Sequence, residues 1–292
     1  MSSPIARDHA WLPRATCDAG CLRAGGSQAS RRLVVVWRVT TRSSLALLLG
    51  LALPLLAIPL PGRSQVKRVY CRLLLWCLGV RIMLSGGPIR NLPGVLVVSD
   101  HMSWLDVITI AAVLPPSRWR TAPPSFVGRA DVAGNAAVRM IALIIKVIPI
   151  NRASLRQLPG VVDTVAARLR AGHTVVAFPE GTTWCGLAAG SFYPAMFQAA
   201  VDSGRPVQPL RLRYHHTDGR LSTVPAYIGD DTLVRSIGRL LVTRRTVARV
   251  YVTSLQLPSA DRRELARRCQ AAVRMTSVPD PAHRQGEHVL AC

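Results

Sequence analysis

Val95-Leu-Val-Val-Ser-Asp-His101-Met-Ser-Trp-Leu-Asp106 places a histidine where one local pattern gives way to another. Val95 to Val98 is an apolar, strand-like run, and Trp104 to Leu114 reads as a helix stopped by Pro115 and Pro116. A histidine at a strand end, with a carboxylate one turn into the next helix, is a compact way to build an oriented base. The imidazole offers one nitrogen to a substrate hydroxyl, while the carboxylate holds the other N–H and stabilises the imidazolium that forms. On one continuous helix His101 and Asp106 would diverge by about 140°. Pairing therefore requires His101 outside the helix or at its edge, where the pattern puts it. By itself the spacing is equally compatible with a helix-start histidine and a first-turn acid favoured by the helix dipole.

Working outward, Thr174-Val-Val-Ala-Phe178 is another buried-strand run, followed by Pro179-Glu180-Gly181-Thr182-Thr183. Proline and glycine flanking a glutamate at a strand end make a tight turn that presents a carboxylate and backbone amides to a cleft. Alone, that turn reads first as an ordinary surface turn.

The two motifs, in this order and about eighty residues apart, resemble the glycerolipid acyltransferase family, whose best-known members acylate 1-acyl-glycerol-3-phosphate. His101 to Asp106 is similar to the family's first block and Phe178 to Thr183 to its third. Between them, Phe126-Val-Gly-Arg129-Ala-Asp131 and Ile148-Pro-Ile-Asn-Arg152 stand where the second block carries basic residues for the acceptor phosphate. Arg129 occupies a position where the family usually has lysine, which leaves a lyso-ornithine lipid as an alternative acceptor. Val207-Gln-Pro209-Leu-Arg-Leu resembles the fourth block, and the resemblance runs from about Leu73 to Leu255. It implies His101 and Asp106 as catalytic residues, and Arg129, Arg152, Glu180, Gly181 and Thr182 as substrate-binding ones. It also implies acyl-CoA or acyl-carrier protein as co-substrate, with no cofactor. No G-x-S-x-G elbow or phosphate-binding glycine loop is present. Without a separate nucleophile, direct attack of the acceptor hydroxyl on the thioester is more economical than an acyl-enzyme.

Composition narrows the setting. The chain has 292 residues, 49% of them hydrophobic, with a mean hydropathy of +0.25. That is high for a soluble enzyme and low for a polytopic transporter. A formal charge of +22 invites a nucleic-acid reading, but the basic residues are spread along the chain without aromatic interleaving. Attraction to anionic lipid surfaces and phosphorylated substrates fits better, so membrane lipids and no nucleic acid are the expected partners. A non-catalytic basic membrane- or nucleic-acid-binding protein is the contrasting class, and acylation of a lysolipid separates the two. The seven cysteines are an odd number, and Cys17-x3-Cys21 lacks a second ligand pair, so no metal site and no disulfide framework are expected.

Residues 1–30 lack periodicity and read as a disordered basic tail without a signal-peptide pattern. Leu45 to Leu60 follows as sixteen uncharged, almost wholly apolar residues. As a helix this run would be roughly 24 Å long against a hydrocarbon core of roughly 30 Å. Arg31, Arg32, Arg38 and Arg42 precede it; Arg63, Lys67, Arg68 and Arg72 follow. Charge on both sides leaves two topologies open, a short single span or a hairpin-like insertion with both ends cytoplasmic. Membrane attachment with the catalytic domain on the cytoplasmic face is the expectation. Tyr70 to Met83 reads as a further apolar helix, closed by Gly86-Gly87-Pro88.

Beyond the first block, helices and strands alternate. Helices are expected over 161–170, 194–201, 231–242 and from Asp261 to about Met275, with strands over 174–178, 207–214 and 248–255. His215-His216 reads as part of a solvated turn. The chain is thus expected to be α/β, a mixed sheet flanked by helices. Its regions are a tail (1–30), membrane-associated helices (31–85), an acyltransferase domain (86–258), and a C-terminal helix with a loose end (259–292).

Overall fold

Apolar strands at the chain's centre and an amphipathic helix after most of them produce one layered α/β unit. The computed structural model describes residues 13–22, 32–58, 62–115, 123–129, 136–151, 154–275 and 288–290. Its strands are β1 (Val80–Gly86), β2 (Leu96–Ser99), β3 (Ser125–Arg129), β4 (Ile148–Ile150), β5 (Val175–Ala177), β6 (Val207–His215), β7 (Thr246–Val252) and β8 (His288–Leu290). They form one sheet in the order β4-β3-β5-β2-β6-β7-β1-β8. The strands from β4 to β6 are mutually parallel, β7 runs antiparallel to β6, and β1 is parallel to β7. The sheet is mixed, as expected.

β2 is central and buried along its whole length. Successive side chains point to opposite faces, so Leu96 and Val98 join one apolar cluster while Val95 and Val97 join the other. Helices α5 (Leu158–Arg170), α6 (Ala195–Ser203) and α8 (Arg262–Arg274) supply the first cluster; α2 (Arg63–Cys77), α3 (Leu105–Val113) and α7 (Leu233–Val242) supply the second. Each fully buried Leu or Val contributes about 1.5–3 kcal/mol, and so the two faces together hold the parallel strands in place. Gly172 and Gly204, both at positive φ, end α5 and α6 where the sequence put the stops. Asp261 caps α8, its carboxylate accepting from the Arg263 N–H at 2.8 Å.

Three expectations change. The helix read over 70–83 ends at Cys77, and Val80–Gly86 is a strand paired in parallel with β7, so the sheet begins before residue 86. Gly79 (φ 75°) breaks the helix, after which Val80 and Ile82 face the core while Arg81 faces out; a short apolar run carries too few turns to tell the two patterns apart. Residues 13–22, read as disordered, are ordered, with Cys17, Cys21 and Leu22 packed on the core. Part of the tail read as loose, His288–Leu290, pairs antiparallel with β1.

Of the apolar run 45–60, residues 45–57 fall within α1 (Arg32–Ala52) and a 3-10 turn over Leu53–Ala57, and 59–60 lie outside the described residues. Together, among the described residues, these make one helix long and apolar enough to cross a membrane, with 6% of its most apolar window buried. Arginines tie its first half to the sheet domain. Arg42 donates to the carbonyls of Leu241 (3.1 Å), Thr243 (2.7 Å) and Arg244 (2.6 Å), and Arg38 to that of Val242 (3.1 Å). These are carbonyls at or just beyond the end of α7, which no helical N–H can satisfy.

Candidate active site

Parallel strands place their carboxyl ends on one edge, and the loops leaving β2, β3, β4 and β5 all emerge there. In open α/β sheets this edge is where ligands bind. The loop after β2 carries His101, and α3 carries Asp106 in its first turn. His101 is outside the helix, and its Nδ1 meets Asp106 Oδ2 at 2.9 Å. The same oxygen accepts the N–H groups of Met102 (2.6 Å) and Ser103 (2.8 Å). Asp106 thus holds both the loop amides just ahead of its helix and the imidazole with one oxygen.

Its other oxygen accepts from the Tyr214 hydroxyl at 2.7 Å. Tyr214 comes from β6 and is wholly buried; burial, then the charge of Asp106, pushes its hydroxyl well above the ordinary range, so it stays a phenol and a donor. Asp106 is also fully buried, and a buried carboxylate is tolerable only when its lone pairs are filled, as here. The His101 side chain is 15% exposed and stacks on Phe178 with ring centroids 4.0 Å apart. With Nδ1 engaged, Nε2 is the nitrogen left for proton transfer.

Glu180 does not present its carboxylate to a cleft. It is 2% exposed, accepting the His101 N–H on one oxygen (2.9 Å) and the Gly190 N–H on the other (3.0 Å). Burial raises it to about 7, against the lowering effect of those two N–H donors and Arg274, with Asp106 adding to the rise. The Trp184 N–H returns a bond to the His101 carbonyl at 2.8 Å. Glu180 therefore couples the third block to the first, its carboxylate turned inward on backbone amides. Gly181 (φ 70°) turns the chain, its N–H spent on the Phe178 carbonyl at 3.1 Å. Thr182 is half-buried beside it.

Arg129 stands exposed at the carboxyl end of β3, on the same edge as His101 but two strands away. Arg152 and Asp131 lie outside the described residues, although β4, which precedes Arg152, also ends on this edge. Ser103 lies just ahead of α3, its hydroxyl accepting from the Leu105 N–H at 3.2 Å. His215 departs from the turn reading. It is the last residue of β6 and buried; burial foremost, then Arg249 and Arg211, lowers it to about 4, so it remains neutral. Two residues of the site escaped the sequence reading. One is Tyr214. The other is Asp100, whose carboxylate accepts the Leu212 N–H (2.9 Å) and pairs with Arg213.

An imidazole held by a buried carboxylate can take a proton from a hydroxyl. The acyltransferase family model matches residues 82–213. A lyso-ornithine lipid O-acyltransferase from Pseudomonas aeruginosa is 31% identical over 231 residues, covering 77% of this chain and 84% of that protein. A 1-acyl-sn-glycerol-3-phosphate acyltransferase from Neisseria meningitidis serogroup B is 29% identical over 189 residues, 64% of this chain and 71% of the relative. The crystal structure of the 1-acyl-sn-glycerophosphate acyltransferase PlsC from Thermotoga maritima shares the fold, with a TM-score of 0.60 at 16% identity, over 84% of this chain and 94% of that one. This chain is a member of the glycerolipid acyltransferase family.

Proposed function

We propose that the chain transfers a fatty acyl group from a thioester, acyl-CoA or acyl-carrier protein, to the hydroxyl of 1-acyl-sn-glycerol-3-phosphate, giving phosphatidic acid. The observation that carries this reading is the His101–Asp106 contact, with the carboxylate buried and saturated by Met102, Ser103 and Tyr214. Nε2 of His101 takes the acceptor's hydroxyl proton as its oxygen attacks the thioester carbonyl. Asp106 holds the tautomer and stabilises the imidazolium. Collapse of the tetrahedral intermediate breaks the C–S bond, and the imidazolium returns its proton to the leaving thiolate. Arg129 and Arg152 bind the acceptor phosphate, for which a guanidinium supplies a two-point contact.

Lipid substrates need access from a membrane, and one surface fits. Trp37, Leu48 and Leu51 on α1, Val66, Val69 and Trp76 on α2, and Leu143 on α4 (Ala136–Ile144) are all exposed apolar residues. α1 and α2 pack against each other, Tyr70 donating to the Leu49 carbonyl at 2.8 Å. Both ends of this hairpin are fastened to the sheet domain, through Arg38 and Arg42 on one side and through Arg68, Arg72 and β1 on the other. That favours a hairpin-like insertion with the catalytic domain held on one face, the cytoplasmic one, over a single span.

A second reading keeps the chemistry and changes the acceptor to a lyso-ornithine lipid. The Pseudomonas relative of that name matches a larger share of the chain than the Neisseria protein does. Purified protein in mixed micelles, given acyl-CoA or acyl-carrier-protein donors and both acceptors, separates the readings. Phosphatidic acid formation supports the first. Acylation of lyso-ornithine lipid alone moves the acceptor to the second, and acylation of neither removes both.

A further inference from the structure

Cys17 and Cys21 stand in a short segment far from the acyltransferase blocks in sequence, yet the fold brings a third cysteine to them. Cys185, two residues beyond Thr183, lies on the loop that follows β5. The three sulfur atoms lie within 4.8 Å of one another, and all three are free thiols. Sulfurs sharing a tetrahedral zinc at Zn–S distances of about 2.3 Å stand about 3.8 Å apart, so a small contraction suffices. Local backbone has already arranged the ligands. Asp18 accepts the Gly20 N–H at 2.9 Å and caps the 3-10 turn Ala19–Cys21, which folds Cys21 back beside Cys17. Cys17 Sγ accepts the Cys185 N–H at 3.3 Å. Cys185 Sγ in turn faces the N–H groups of Leu187 and Ala188, donors that orient and stabilise a metal-bound thiolate.

We propose that Cys17, Cys21 and Cys185 bind one zinc ion, with solvent in the fourth position. Three thiol ligands are soft donors that suit zinc, whereas calcium and magnesium take oxygen. Binding displaces up to three thiol protons to the buffer. The ion fastens residues 13–22 to the loop of the third block. There the segment already touches the catalytic turn, since a Cβ on Gly181 would fall 2.6 Å from Pro13. Its role is to hold this strap against the turn that contains Glu180 and, through Glu180, the His101 backbone.

The test uses the full chain purified in detergent without chelators. After desalting, elemental analysis is expected to find about one zinc per chain. Stripped protein titrated with Co²⁺ is expected to develop a sulfur-to-cobalt charge-transfer band. Cys17→Ser and Cys21→Ser each lose the zinc and the band, whereas Cys269→Ser, whose thiol is buried elsewhere, keeps both. Wild-type protein that carries no stoichiometric zinc and gives no cobalt band overturns the proposal, whether or not the serine variants fold. A Cys17–Cys185 disulfide found in freshly isolated, metal-free protein overturns it in favour of redox chemistry. Zinc retained after replacement of all three cysteines overturns it as well.

Discussion

At the scale of single residues, the site depends on how completely Asp106 is satisfied. Tyr214 fills Oδ1, and hydrogen bonds to charged groups are worth about 1.5–3 kcal/mol. Tyr214→Phe is therefore expected to lower kcat about tenfold with both KM values unchanged, since a misheld imidazole slows proton transfer without touching substrate. An unchanged kcat would remove Tyr214 from the machinery. Glu180 makes a pH prediction. Its ordinary value of 4.5 rises to about 7 on burial, so the folded state holds the proton more tightly than the unfolded chain. Stability is then highest below pH 4.5, falls as pH rises towards 7, and levels off above it. Glu180→Gln removes this slope, and its stability relative to wild type should rise by on the order of 3 kcal/mol across that window. Parallel unfolding curves would contradict the assignment. For the acceptor, Arg152→Ala should raise its KM about ten- to a hundredfold and leave the thioester KM alone, with Arg152→Lys rescuing part. His101 and Asp106 were legible because they are close in sequence and at a change of pattern. Tyr214 was not, for it stands 108 residues from Asp106 and reads as one more core residue of a strand. Glu180 was legible as a residue but not in its direction. A Pro-Glu-Gly turn announces a carboxylate, and only tertiary packing turned it inward.

Among elements, alternation of period-2 and period-3.6 runs was enough for α5, β5, α6, β6, α7, β7 and α8, all of which form close to their expected bounds. The stretch from Tyr70 to Gly86 misled because eight or so apolar residues without a strong breaker satisfy either period; Gly79 was the signal available, and its left-handed φ is what ends α2. The N-terminal hairpin was legible as apolar but not as docked, because Arg38 and Arg42 look like flanking charges until α7 supplies their carbonyls. Its exposed face carries a prediction of its own. Full burial of a large apolar side chain is worth about 1.5–3 kcal/mol. Replacing Trp37, Leu51 and Trp76 together by glutamate, all three exposed in the fold, is expected to cut vesicle binding in flotation assays by more than about a hundredfold. Circular dichroism should be unchanged. Undiminished flotation would place the membrane contact elsewhere.

For the molecule as a whole, the parallel half of the sheet gathers the first and third blocks at one edge, while the hairpin, fastened to the opposite half through β1 and α7, presents the apolar face. A net charge of +22 adds attraction to anionic lipid, which is also the charge of a lysophosphatidate acceptor. In the proposed reaction these features act together, the carboxylate-held imidazole removing a proton from a lipid hydroxyl. Radiolabelled acyl transfer from acyl-CoA or acyl-carrier protein to lysophosphatidate or lyso-ornithine lipid, by wild type and His101→Ala purified side by side, tests that claim directly. The expected result is thioester-dependent product from the wild type and a loss of about 10²- to 10⁴-fold in the variant, with vesicle binding and thermal unfolding retained. A correctly folded His101→Ala protein that turns over near the wild-type rate would contradict it.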